Sequence, residues 1–345
     1  MTIELPELAA AFGTDQLERG LPTGAAEAVA GLSPVQGEWG LERGLSNLMR
    51  MAGPLAGTFL GEGLRTAVTI ALIAALCAAA CSLTDGMPAQ YVRIAAVLGI
   101  AALTVTGLQS LMAQGREAIA ELDTYSKALL PSMAAAAAAS GQPTAAIARQ
   151  AATAFAGDLF ITMSGRLLMP LLYVYAALIT LNAALPQDIL KRLAGLVKWM
   201  VTGLLALGLT AFTAWLAISG VIAGQADSLA VRGAKAALSG AVPVVGGIIG
   251  DASEAVVAGA GVIKNTIGVF GLFVVLGTVL SPLIMLGTRY LIFKLGAALC
   301  GTVGDETIAG YIDGIAGLYA MLLAIIGAMG VLLIISITSC IMMVG

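Results

Sequence analysis

Residues 232–271 read RGAKAALSGAVPVVGGIIGDASEAVVAGAGVIKNTIGVFG. The stretch is mostly apolar, yet Pro243, Gly246, Gly247 and Gly250 interrupt it, and Lys235, Asp251, Glu254 and Lys264 sit within it. A plain membrane-spanning helix would not carry these breaks and charges together. In hydrocarbon, a broken backbone exposes N–H and C=O groups at a cost of several kcal/mol each, so such a segment must be covered by other protein or by water. The expectation is a re-entrant element over 232–265: two short helices joined by a Pro/Gly bend, inside a bundle of longer spans.

The rest of the chain supplies that bundle. Of 345 residues, 59% are hydrophobic and 11% charged, against about 25% charged in soluble domains. The expected fold class is all-α, a polytopic helical membrane protein lying in the lipid bilayer. About six transmembrane helices are expected, at 66–83, 91–113, 167–185, 200–221, 266–286 and 318–343, together with re-entrant and amphipathic helices. These belong to a membrane domain over 63–345. Residues 1–62 carry eight acidic residues, and Pro22, Pro34 and Pro54 divide short apolar clusters. They read as an amphipathic, extramembrane or interfacial region. Its first twenty residues lack the basic and apolar regions of a signal peptide.

Between the second and third spans, residues 114–166 are alanine-rich and interrupted by Pro131, Gly141 and Pro143. They read as a helical hairpin packed on the bundle or lying in the interface. Residues 284–300 read as a separate short or interfacial helix. Lys191, Arg192 and Lys198 make the densest basic connection, which the positive-inside rule places in the cytoplasm, with both termini outside.

Composition also narrows the chemistry. The chain has no histidine, which removes Ser/His triads, HExxH zinc sites and histidine proton relays. The four cysteines read as small buried hydrophobes, not as metal ligands or a disulfide framework. No metal or cofactor is expected. A net charge of −3 with scattered basic residues offers no surface for nucleic acid. No GxxxxGK[ST] loop is present, so energy would come from a partner or an ion gradient. Gly250–Asp251 invites comparison with GxGD intramembrane proteases, but Ile248 stands where the first glycine belongs, and Asp313 follows in the reverse of the usual order.

Asp251, Glu254 and Lys264 have two readings. Ionisable residues within a membrane mark an ion or substrate path by default; alternatively they pair with one another or cap short helices. The bend over 243–250 is a hinge, a pore constriction or a tight re-entrant turn.

At this stretch the chain resembles the stage III sporulation protein AE family of endospore-forming bacteria. Lys235, the run from Pro243 through Gly246 and Gly247, Asp251, and Ile263, Lys264 and Asn265 before Gly268 stand in the order of that family. The resemblance implies a non-enzymatic membrane subunit, a channel or scaffold, of the complex linking mother cell and forespore. It implies as partners an ATPase, a secretion-platform-like membrane protein and ring-forming subunits. It places the chain in the outer forespore membrane, and assembly with further copies of itself is compatible with it. The competing function is an independent secondary transporter with a broken-helix substrate site. That architecture favours an internal repeat, and the two halves of this sequence share no repeated residues.

Overall fold

The computed structural model describes residues 10–34, 40–82, 87–185, 187–241, 246–303 and 306–342; side chains are described for fewer, and those of 219–256 are not among them. The chain is all-α. In order it forms α1 (Thr14–Arg19), a 3-10 turn (Thr23–Ala25), α2 (Gly40–Ser82), α3 (Met87–Ala139), α4 (Pro143–Met163), a π-turn (Ser164–Leu168), α5 (Met169–Ala184), α6 (Asp188–Ala241), α7 (Gly246–Val303) and α8 (Glu306–Ile341). Among the described residues, six helical segments are long and apolar enough to cross a membrane. The six apolar stretches of the sequence fall one on each.

The helices outrun the apolar stretches that nucleate them. Gly40–Ser82 is one helix of 43 residues and absorbs the second half of the amphipathic N-terminal region. Pro54 lies within it. Packing sustains the helix there: α2 lies along α7, with Gly44 against Phe273 and Gly63 against Ile292, and tertiary contacts of this kind outweigh local propensity. The hairpin expected over 114–166 has its turn at Ser140 and Gly141, where Gly141 takes φ 92°. Its first arm is continuous with the second span, giving α3 its 53 residues through Pro131. Residues 284–300 likewise continue α7 through Pro282.

At the centre lies the antiparallel pair α7–α8. From Gly314 to Ile341, α8 has no charged residue, and Leu322, Ile325, Ile326 and Met329 are fully buried. The Phe293 and Tyr319 rings meet at 5.1 Å. Helices α3, α4, α5 and α6 pack around α8, while α2 and the 3-10 turn lean on α7. Asn47 ties the N-terminal segment to α2, its Nδ2 donating to the carbonyls of Ala30 (2.9 Å) and Ala28 (3.2 Å).

Candidate functional site

The central stretch takes a different form from two short helices. Helix α6 runs unbroken to Ala241 and α7 begins at Gly246, at 54 and 58 residues, so the stretch falls on two long helices. The glycines along 220–240 do not end α6, since each costs a helix interior only about 1 kcal/mol. Lys235 lies on α6, and Gly246, Gly247, Gly250, Asp251 and Glu254 lie on the first turns of α7. Pro243 lies outside the described residues, as do the side chains of Lys235, Asp251 and Glu254.

Lys264 and Asn265 are described in full. Asn265 is exposed, whereas Lys264 retains 4% of its accessible surface. Ten residues of unbroken helix separate Lys264 from Glu254, about 15 Å, so its surroundings come from other helices. There, Arg149 of α4 donates from Nη1 to the Ser339 carbonyl in the last turn of α8, and Thr153 shares a hydrogen bond with Ser336. Lys264 and Arg149 lie within electrostatic range of one another and of the Cys340 thiol. The last carbonyls of a helix have no partner within it and carry the negative end of its dipole. Two cations from α4 and α7 therefore converge where α8 presents that charge. The Nε of Arg149 is buried with no hydrogen-bond partner among the described residues. Sequence reasoning singled out Lys264 because it interrupts an apolar run. It missed Arg149, which sits in a mixed alanine-rich segment that signals nothing.

The other end of the bundle holds an open cleft of about 580 Å³ between the end of α5 and the starts of α6 and α8. Tyr175, Asn182, Lys191, Lys198, Glu306 and Tyr311 are among its lining residues. Beside it Lys294 pairs with Asp313 at 2.5 Å, and Thr180 contacts the Tyr311 hydroxyl at 3.3 Å.

These two ends bear directly on proteolysis. Asp313 is held by Lys294, and 43 residues of α7 separate Lys294 from Asp251. That is about 60 Å even with a bend at Pro282, so the two aspartates cannot share a site as acid–base chemistry requires. Among the described residues no group of three metal-ligating side chains occurs. Cys77, Cys300 and Cys340 are buried and form no disulfide among the described residues, and the side chain of Cys81 lies outside the described residues.

Comparison with known proteins adds the family. The family model described as stage III sporulation protein AE matches residues 55–344. The chain is 26% identical over 222 residues to the stage III sporulation protein AE of Bacillus subtilis (strain 168), a match covering 64% of this chain and 56% of that relative. No solved structure matches. The matched region runs from within α2 to the end of α8 and includes the whole α7–α8 core, and on that match the chain belongs to the stage III sporulation protein AE family.

Proposed function

We propose that this protein is a non-enzymatic membrane subunit, a channel or scaffold component, of a sporulation-specific transenvelope complex between mother cell and forespore, seated in the outer forespore membrane. The family match over 55–344 carries this reading, and the six apolar helices fit it. Its partners would be an ATPase, a platform-like membrane protein and ring-forming subunits.

The physical features are those of a packed subunit. Buried charge sits at a helix end, where it compensates carbonyls. The transporter alternative calls for discontinuous helices at the membrane midplane. Among the described residues the apolar stretches of α6, α7 and α8 are continuous, and the π-turn Ser164–Leu168 is a local widening.

Solubilisation of sporulating membranes in mild detergent tests the reading. The tagged chain should migrate far above its own 34.7 kDa and bring down an ATPase subunit. Migration alone, from cells caught during engulfment and after stabilising cross-linking, would overturn it.

A further inference from the structure

The open cleft between the end of α5 and the starts of α6 and α8 has walls of opposite charge. Its volume of about 580 Å³ lies within the range of about 300–1,000 Å³ found for small-ligand sites. Lys191 and Lys198 line it from α6, Glu306 and Asp313 from α8. Each pair is seven residues apart, two helical turns or about 10.5 Å. Both helices start at this end, so the walls carry their charges at one spacing, cations on one side and acids on the other.

The helices themselves turn these charges into the cleft. On α6, Ile189, Leu193 and Leu196 are exposed, and a repeat of 3.6 residues sets the two lysines on the opposite side. On α8, Ile308, Ile312 and Ile315 are buried in the bundle, which leaves Glu306, Gly310 and Asp313 on the face toward the cleft. No ion pair joins the two walls. Among the described residues Lys191, Lys198 and Glu306 make none, and Asp313 accepts from Lys294 through Oδ1 alone. The space between is unfilled: a Cβ added at Gly195 or Gly310 would meet nothing within 4 Å.

A ligand that satisfies both walls carries an anion and a cation. An anion alone leaves Glu306 unmatched, and a cation alone leaves both lysines so. A primary ammonium brings three N–H donors to carboxylate oxygens, and phosphate is a ligand suited to lysine. The apolar outer face of α6 suits lipid, which sets phosphate-bearing headgroups beside the cleft.

We propose that the cleft binds an ammonium–phosphodiester zwitterion, the phosphoethanolamine group of a phospholipid or of its soluble glycerol ester. The phosphate lies against Lys191 and Lys198, and the ammonium against Glu306 and the second oxygen of Asp313. The site stands on the cleft alone and not on the role in sporulation, so its failure would leave that role untouched.

The test is calorimetric titration of the purified full-length chain in a maltoside detergent, which carries neither phosphate nor amine. Dihexanoyl phosphatidylethanolamine should bind at least about tenfold more tightly than its choline counterpart, which has no N–H to donate, and than its glycerol counterpart, which has no ammonium. Glycerophosphoethanolamine identifies the source: comparable affinity assigns the free headgroup, and binding of the acylated form alone assigns the lipid. Lys191→Gln combined with Lys198→Gln should weaken binding at least about tenfold. Gly310→Leu should do the same, because it fills the cleft without touching a charge and puts a stronger helix former in place of glycine. Arg192→Gln removes a charge from the same connection but outside the cleft, and should leave the affinity unchanged. The comparison of headgroups on the unmodified chain depends on no variant folding. Absence of ethanolamine-lipid binding to that chain up to about 1 mM overturns the proposal. So does equal binding of the choline or glycerol headgroup, or a loss in Arg192→Gln as large as that in the lysine pair.

Discussion

Thr153 and Ser336 are 1% and 3% exposed and bond only because α4 and α8 touch at that height. Removing one hydroxyl strands the other, at about 1–3 kcal/mol. Thr153→Val should therefore lower thermal stability in detergent by that amount. The double variant Thr153→Val with Ser336→Ala should lose clearly less than the two single variants summed, because no buried group is left without a partner. The pair Lys294–Asp313 is exposed at both ends, 54% and 50%, and solvent-exposed pairs contribute about 0–1 kcal/mol. Lys294→Ala should shift the unfolding midpoint hardly at all. A loss comparable to that of Thr153→Val would mean that this pair is enclosed, by lipid or by a partner.

The elements show how far the sequence is legible. Each apolar run announces a helix, and the turn at Gly141 is visible because glycine between alanine runs is a helix stop. Helix length is less legible. Nothing local keeps α2 going through Pro54 or α7 through Pro282; packing on neighbours does. The relative depth of the helices is not legible at all, since it is set by close contacts such as Gly115 on Leu322. The same holds for the way the N-terminal segment, read as an extramembrane or interfacial region, packs on α7. There an added Cβ at Gly277 would sit 2.5 Å from the Cβ of Ala28 and 3.2 Å from the Cα of Ala25. Neither atom can rotate away, so the segment itself must move, and overpacking of this kind costs about 1–3 kcal/mol. Gly277→Ala should loosen residues 14–34 and make the peptide bond after Arg19 more susceptible to trypsin. An unchanged digestion rate would mean that the segment is held elsewhere.

At the scale of the molecule, the fold places the end of α5 and the starts of α6 and α8 at one end of the bundle. The end of α8 at Ile341 and the turn at Gly141 lie at the other, with Lys191, Arg192 and Lys198 opposite. If that basic end faces the cytoplasm, Gln187→Cys should resist an impermeant thiol reagent in intact cells and react after permeabilisation; labelling in intact cells would invert the topology. Asp251 belongs to this scale too, because it lies near the start of α7, a 58-residue helix of the central pair. Asp251→Asn should abolish sporulation while the protein accumulates normally in the membrane, whereas loss of the protein would assign the residue to folding. The measurement closest to the central claim is a clean deletion in the native host, followed by microscopy through sporulation. A subunit of the mother cell–forespore complex predicts arrest after engulfment, with collapsing forespores and silent late forespore genes. Normal spores from the deletion strain would contradict it.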